Sequence, residues 1–231
     1  MRQLTLLNSL LLANTIILGG ILWTQIAERP FAESAMAVPQ SRPTQPVEPT
    51  RGGVPNAGLQ RLEMLQELQY AGFVRLAAMA PTKCQPFDLN RQGLILGEGA
   101  GILVVESEAH AVRRNARVLA EVGGHGMTCD AYHITRPHPD AAGSIGAMRQ
   151  ALERSGISAD AVDFVNAHGT GTKHNDSAES KVMREVFGDR KVPISSMKSM
   201  LGHCMGAASA LEAIGCVMTL ETGIYPPTIG Y

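Results

Sequence analysis

The sequence VDFVNAHGTGT at residues 162–172 establishes the architecture of the chain. Its apolar first part is typical of a short strand that ends near Val165, and a glycine-rich polar turn follows with His168 at the strand exit. A helical pattern then runs from Asn175 to Phe187. A strand, a polar turn and a helix in this order are the repeating unit of an α/β domain.

The same alternation extends along the chain on both sides of this stretch. An amphipathic helix is predicted first, because leucines recur at helical spacing from Leu59 to Leu76. Strands are then predicted at 94–106, 118–127, 162–166 and 192–195, and helices at 107–115, 141–155, 175–187 and 206–222. Alternating strands and helices predict a layered α/β domain, which we place at residues 58–231.

The front of the chain has a different composition. No charged residue lies between Arg2 and Glu28, and residues 4–23 are rich in Leu and Ile. This run has about the length that a helix needs to cross a bilayer. We therefore predict a transmembrane helix or signal anchor at residues 1–27, which would contact the membrane through residues 4–23.

Two alternatives for the front of the chain remain open. Residues 35–37, Ala-Met-Ala, have the small-x-small form of a signal cleavage site, which would make the chain an exported precursor. A buried hairpin around Gly19 and Gly20 is the other alternative. Residues 28–57 are rich in Pro, Gly, Ser and Thr, and this composition predicts an extended linker before the domain.

Composition and spacing exclude several classes of function. Lys and Arg total 20 against 21 Asp and Glu, so no overall basic surface is available for nucleic acid. A phosphate-binding loop fails because His174 follows Lys173, where that motif requires Ser or Thr. The four cysteines form no C-x-x-C pair, and we assign no metal site and no cofactor.

A second polar segment, at residues 195–206, also lies between a predicted strand and a predicted helix. It contains Lys198 and His203. In α/β proteins the ends of neighbouring strands commonly carry the ligand site. We therefore select His168 and His203 as candidate site residues, together with the lysine between them.

These segments carry a resemblance to a known family. AHGTGT at 167–172, KSMLGH at 198–203 and GAASALE at 206–212 together resemble the C-terminal part of β-ketoacyl synthases, the condensing enzymes of fatty-acid and polyketide assembly. PFD at 86–88, GEGAG at 97–101 and DAYH at 130–133 match earlier landmarks of that family in the same order. The resemblance runs from about Ala71 to Tyr231.

The resemblance implies a thiolase-like layered fold, present here as an incomplete C-terminal half. It also implies a decarboxylative condensation of acyl and malonyl groups, both carried as phosphopantetheine thioesters on acyl carrier protein. A homodimer or a complementing ketosynthase chain is the expected partner. Because this chemistry is cytoplasmic in the family, we expect a membrane-associated chain whose domain faces the cytoplasm, with export as the alternative.

The resemblance also assigns roles to individual residues. His168, His203 and Lys198 match the active-site histidines and their neighbouring lysine, Thr170 and Thr172 match threonines that bind the pantetheine arm, and Glu212 matches a supporting glutamate. A neutral imidazole N–H would stabilise the enolate oxygen formed on decarboxylation, and a nearby ammonium would keep the imidazole neutral. Asp176 and Glu179 are assigned to support of the loop and of the helix start.

Two departures from the family pattern bear on activity. The Thr-Ala-Cys-Ser-Ser type sequence around the nucleophilic cysteine is missing, and so is the family's Gly-Phe-Gly-Gly loop. We therefore expect an acyltransferase component that depends on another chain for the cysteine. The alternatives are a catalytically inactive, membrane-tethered remnant or binding module, and a joining of residues 1 to about 70 to a ketosynthase fragment by rearrangement.

Overall fold

The computed structural model of the chain describes residues 67–231 and the backbone of residues 5–10 and 18–23. The strands are β1 (Thr5–Leu10), β2 (Leu18–Trp23), β3 (Glu121–Gly126), β4 (Phe164–Asn166) and β5 (Ile194–Ser195). The helices are α1 (67–75), α2 (Glu108–Arg113), α3 (Ala142–Ser155), α4 (Lys173–Phe187), α5 (Lys198–Leu201) and α6 (Ala208–Thr222). Short 3₁₀ turns lie at Ala159–Ala161 and Met205–Ala207.

The described strands form one mixed sheet in the order β3-β2-β1-β4-β5. The strands that precede the two candidate site segments, β4 and β5, are parallel neighbours. β1 is also parallel to β4, with Asn8 opposite Asn166, whereas β2 runs antiparallel to both β1 and β3. The site-bearing strand β4 therefore lies inside the sheet and is paired on both edges.

The apolar stretch at the front of the chain forms two strands where the sequence predicts one membrane helix. Gly19 and Gly20 lie opposite Ser9 and Asn8 in the β1–β2 register. Continuous apolar runs are also typical of strands covered on both faces of a sheet, so periodicity alone does not separate them from a membrane helix. Within the described residues, no helix combines the length and the apolar character needed to span a bilayer.

The prediction of an apolar membrane helix is therefore not supported, and the same holds for membrane contact through residues 4–23. The alternative of a hairpin agrees better with the observed antiparallel pair of strands, but Gly19 and Gly20 lie inside β2 and not at a turn. The predicted linker, residues 28–57, lies outside the described residues.

Most of the predicted elements in the domain are confirmed with small shifts of their ends. The exception is the predicted strand at 94–106, where the described chain makes only two isolated bridges, between Met79 and Leu94 and between Leu96 and His203. An apolar run forms a ladder only where a neighbouring strand accepts its backbone hydrogen bonds. Beyond the hydrogen bond that Gly97 makes within the Leu96 bridge, no such neighbour for residues 98–106 is found in the described part of the chain.

Helices pack on both faces of the sheet. Val165 belongs to a core with residues of α3 and α4, such as Met148 and Val182. Its neighbour Phe164 belongs to a second core with Cys216 and Leu220 of α6. Successive residues of a strand point to opposite faces, so the two cores lie on opposite sides of β4. The predicted layered α/β fold is confirmed.

The contact between β3 and α3 leads to a matched pair of substitutions. A Cβ at Gly126 would overlap the backbone carbonyl of Ala147, whereas a Cβ at Gly146 would lie 3.4 Å from its nearest neighbour, Thr128 Cγ2. We expect Gly126→Ala to lower the free energy of unfolding by about 1–3 kcal/mol, because strand and helix must separate. Gly146→Ala should raise it by roughly 0.5–1 kcal/mol. Urea unfolding measures both, and an equal effect of the two would contradict this packing.

Candidate active site

The two candidate histidines follow neighbouring parts of the fold. His168 lies two residues beyond the end of β4, and His203 follows α5. The backbone at His203 is held by the Leu96 bridge: its N–H donates to Ile95 O at 2.7 Å, and Gly97 N–H donates to its carbonyl at 3.1 Å. Residues 95–97 and His203, which are far apart in sequence, are therefore joined by backbone hydrogen bonds.

The structure brings the two imidazoles together. Their ring centroids lie 5.5 Å apart, and the rings meet edge to face at 85°. Both side chains are buried. His168 and His203 are therefore close enough to act on the same small group.

The hydrogen bonds of the rings determine which nitrogen of His203 carries the proton. Met205 N–H donates to His203 Nδ1 at 3.1 Å, so Nδ1 is an acceptor and the neutral ring is protonated at Nε2. Nδ1 of His168 is buried and has no hydrogen-bond partner within the described part of the chain. The pair thus offers one N–H donor whose tautomer is fixed and one buried polar atom without a partner among the described residues.

Lys198 supplies the positive charge of the site. It is buried, and its ammonium donates to Glu212 Oε1 in an ion pair that is also buried. Burial raises the pKa of Glu212, and the charge of Lys198 opposes that shift. Glu212 thus balances the lysine from α6, and its other oxygen, Oε2, finds no partner among the described residues.

Burial and charge keep both imidazoles neutral. Burial lowers the pKa of His203 to about 4, and the charge of Lys198 contributes in the same direction. The pKa of His168 is held well below its ordinary value of 6.5, first by burial and then by Lys198 and His203. At neutral pH the two rings are therefore hydrogen-bonding groups without charge.

These pKa shifts predict a loss of stability in acid. The fold favours neutral His203, so this contribution is complete above the unfolded pKa of 6.5 and is lost as the pH falls through about 4. We expect the stability difference between wild type and His203→Gln to shrink by roughly 3 kcal/mol between pH 7 and pH 4. Urea unfolding at a series of pH values measures this difference, and a constant value would contradict the assignment.

Two carboxylates of α4 hold the turn that carries His168. Glu179 accepts the backbone N–H groups of His168 and Gly169, each at 2.7 Å, and burial raises its pKa to about 7. Asp176 accepts from Phe87 N–H at 2.7 Å and from Gly171 N–H at 3.2 Å. Both carboxylates thus lie where the sequence analysis expected support for the loop.

Sequence reasoning did not single out Ser196. Its hydroxyl donates to the carbonyl of Gly169 at 2.7 Å and so joins the turns after β4 and β5. Gly169 has φ +44°, and a Cβ there would overlap Ser196 Cβ. A serine beside a strand end carries little signal, because only the contact between the two turns reveals its role.

The two threonines of the turn lie side by side. The hydroxyl oxygens of Thr170 and Thr172 are 2.9 Å apart, and Thr172 N–H donates weakly to Thr170 Oγ1 at 3.4 Å. Thr170 is buried and Thr172 is partly exposed. The hydroxyl pair therefore leads from the interior of the site to its surface.

Comparison with known proteins places these features in a family. The model for the β-ketoacyl synthase C-terminal domain matches residues 119–231, and the model for the N-terminal domain matches residues 62–111. Both matches include segments that build the site. Residues 62–111 and 119–231 belong to the β-ketoacyl synthase family. The resemblance expected from the sequence is thus confirmed, and it also extends into the N-terminal domain.

Similarity to individual proteins agrees with this membership. The chain is 51% identical to nodulation protein E of Rhizobium meliloti over 158 residues, which is 68% of this chain and 39% of that protein. It is 44% identical to 3-oxoacyl-acyl-carrier-protein synthase 2 of Coxiella burnetii over 170 residues, 70% of this chain and 41% of that protein. The chain therefore spans about two fifths of the length of these relatives.

A solved ketosynthase structure shows the shared fold. The ishigamide ketosynthase/chain length factor superposes with a TM-score of 0.65 at 45% identity, over 71% of this chain and 40% of that chain. The predicted thiolase-like fold, present in part, is confirmed by this similarity.

The cysteines of this chain are poor nucleophiles where they are buried. Burial raises the pKa of Cys84 to about 11 and that of Cys216 to about 12. Cys204, next to His203, also has its pKa raised by burial, and Cys129 is exposed. Because the thiolate is the reactive form, the three buried thiols are suited to packing.

Proposed function

We propose that this chain stabilises the enolate formed when a malonyl thioester loses carbon dioxide, the step that initiates condensation in β-ketoacyl synthesis. The observation that carries the proposal is the buried pair of neutral imidazoles, with His203 protonated at Nε2 by the constraint from Met205. Its ring lies beside His168, and both rings are buried, so the donor lies in surroundings that are shielded from solvent. Such a preorganised donor stabilises developing negative charge more effectively than solvent does.

The proposed reaction gives a role to His203 and to Lys198. The bond between the α carbon and the carboxylate of the malonyl group breaks, carbon dioxide leaves, and the electron pair moves to the thioester oxygen. N–H donation from His203 would stabilise that oxygen, and Lys198 would keep the rings neutral. The enolate carbon would then attack an acyl thioester, form the new carbon–carbon bond and displace a thiolate.

In this proposal the acyl thioester would be supplied by another chain. The three buried cysteines have raised pKa values and lie in packed surroundings, so they do not suit the covalent step. The complete condensation would therefore depend on a chain that supplies an activated cysteine.

The substrate class follows from the threonine pair and the family. We propose phosphopantetheine-linked acyl and malonyl groups on acyl carrier protein, with Thr170 and Thr172 beside the pantetheine arm. Two adjacent hydroxyls suit the amide groups of that arm as donors and acceptors. The domain would then work in the cytoplasm, where these thioesters are found in the family.

Decarboxylation tests the proposal without the missing nucleophile. The full chain is mixed with malonyl acyl carrier protein, and mass spectrometry follows its conversion to acetyl acyl carrier protein. We expect His203→Ala to slow this conversion by about 10²- to 10³-fold, the usual effect of removing one such donor. His174→Ala, at an exposed position, is the matched control and should retain the wild-type rate.

Equal rates for wild type and His203→Ala would overturn the proposed function. Binding of the carrier by a folded chain that shows no conversion would also overturn it, and would support the alternative of a binding module without turnover.

A further inference from the structure

The two turns that lead to the candidate histidines begin where the ladder between β4 and β5 ends. Asn166 lies opposite Ser195 in the parallel register, and Ala167 N–H donates to Ser195 O at 2.8 Å. From there β4 leads into α4, whereas β5 leads into α5. Because a ladder fixes the distance between two chains only along their paired residues, another contact is needed to fix the distance between the turns.

Ser196 joins the two turns beyond the ladder. It is 0% exposed, and its hydroxyl donates to the carbonyl of Gly169 at 2.7 Å. Gly169 directly follows His168, and its N–H donates to Glu179 Oε2 at 2.7 Å. Glu179 thus ties the first turn to the helix that follows it, α4. Ser196 ties the same turn to the segment that follows β5.

The backbone of Ser196 is itself anchored. Its N–H donates to Thr228 Oγ1 at 2.9 Å, and its carbonyl accepts the hydroxyl of Ser199 at 2.8 Å. The same Ser199 hydroxyl accepts the N–H of Ile229 at 3.0 Å. These bonds connect Ser196 to α5 and to the segment after α6. The hydroxyl that reaches Gly169 therefore starts from a fixed position.

This link lies between the groups that form the candidate active site. Ser196 is two residues before Lys198, and its hydrogen bond reaches the residue after His168. Without the hydroxyl, the carbonyl of Gly169 would be buried and lack its donor, which is costly. The turn would then shift towards another donor, and the ring of His168 would move with its backbone relative to His203.

We propose that Ser196 is a positioning residue that holds the turn of His168 at the distance from His203 at which both imidazoles face one enolate. It acts through the backbone of Gly169 and not on the substrate. A misplacement of about 1 Å costs up to about 100-fold in rate, so a single buried hydroxyl is sufficient for a large effect. This inference rests on the proposed function for its kinetic test, whereas the ring geometry can be measured without turnover.

The kinetic test compares two serine variants of the full chain with malonyl acyl carrier protein as substrate. We expect Ser196→Ala to lower kcat for conversion to acetyl acyl carrier protein by about 10- to 100-fold. KM should stay unchanged, because the hydroxyl is buried and does not contact the carrier. Ser155→Ala is the matched control, since its hydroxyl donates to Leu152 O at 2.8 Å within α3. It loses a hydrogen bond of similar length and should keep the wild-type kcat.

A spectroscopic test measures the ring geometry directly. Nuclear Overhauser effects between the ring C–H protons of the two imidazoles report their distance in the free chain. The cross-peak should be present in wild type and in Ser155→Ala, and it should weaken in Ser196→Ala.

Thr228→Val tests the same link by a second route. It keeps the shape of the side chain but removes the acceptor of the Ser196 N–H. Thr228 is partly exposed, so this variant should fold even if Ser196→Ala does not. We expect a weaker cross-peak between the imidazoles and a lower kcat, in the same direction as for Ser196→Ala.

Three results would overturn the inference. The first is a cross-peak that stays unchanged in both Ser196→Ala and Thr228→Val. The second is an equal loss of kcat in Ser196→Ala and Ser155→Ala, and the third is a change in KM without a change in kcat.

The two readouts separate this inference from the proposed function. A cross-peak that weakens in Ser196→Ala, in a chain that decarboxylates no malonyl acyl carrier protein, would support the positioning role and contradict the enolate site. Decarboxylation with a kcat and a cross-peak that are both insensitive to Ser196→Ala would do the opposite.

Discussion

Lys198→Met should lower the free energy of unfolding at pH 7 by about 3–5 kcal/mol, because it leaves the buried carboxylate of Glu212 without its cation. The methionine fills a similar volume, so the loss comes from the unpaired charge and hardly from packing. The double variant Lys198→Met, Glu212→Leu should recover most of the loss, since it removes both charges. Urea unfolding of wild type and the two variants provides the measurement.

An exposed ion pair offers a matched control. Lys181 Nζ lies 3.0 Å from Asp140 Oδ1, and the two side chains are 36% and 72% exposed. Lys181→Met should therefore cost less than about 1 kcal/mol. A loss at Lys198 no larger than the loss at Lys181 would show that the buried pair does not hold the site together.

The double variant Lys198→Met, Glu212→Leu also tests the electrostatic effect of Lys198 on the two imidazoles. The positive charge of Lys198 lowers the pKa of both His168 and His203. In the double variant, where both charges are gone, the pKa of each histidine should rise towards its ordinary value while burial still holds it below. Imidazole proton resonances followed through a pH titration detect this rise.

Phe164→Ala is the second substitution for which we expect a large effect. Phe164 is buried on β4, packs with Cys216 and Leu220 of α6, and stacks on Tyr225 with ring centroids 4.7 Å apart at an angle of 5°. Removing the ring should cost about 3–5 kcal/mol, because α6 and the segment after it cannot collapse fully into the cavity.

Phe164→Ala should also loosen β4 where it leads into the candidate active site. Ala167 N–H, one residue before His168, donates to Ser195 O at 2.8 Å. Hydrogen exchange at this amide should accelerate in Phe164→Ala.

Tyr231→Ala is the matched control for Phe164→Ala. It removes an exposed aromatic ring and should change the free energy of unfolding by less than about 0.5 kcal/mol. A similar small effect at Phe164 would contradict its role in the second core.

The predictions for Lys198 and the proposed chemistry share one physical basis. The site is buried, and its charges and neutral rings depend on one another. Low polarity strengthens the hydrogen bond that a neutral imidazole donates to an enolate, and it also makes each unpaired charge costly. The features proposed for catalysis are thus the same ones whose removal should destabilise the fold.

The order of elements from residue 107 onward could be read from local pattern. The helix 142–155 and the strand at β4 arise from apolar spacing, which depends on residues close in sequence. The candidate residues His168 and His203 could be selected for the same reason, because each follows a predicted strand in a polar turn. The family resemblance added their roles.

Other features depended on contacts between distant segments. Residues 5–10 and 18–23 were predicted as part of one helix, but they pair as strands beside β4 and β3, and only a register with those strands separates the two outcomes. The predicted strand at 94–106 lacks a described neighbour for most of its length. Whether a segment forms a strand depends on the neighbouring strand with which it pairs. The local sequence pattern does not show which segment that neighbour is.

The order of residues in the sequence determined which functional groups the site contains. An imidazole follows one strand, and an ammonium group and a second imidazole follow the next. Their distances, the proton position on His203, and the neutralisation of Lys198 by Glu212 arose only in the folded molecule. Spacing along a chain encodes local geometry, whereas burial and charge pairing depend on elements that meet only after the sheet and helices have packed.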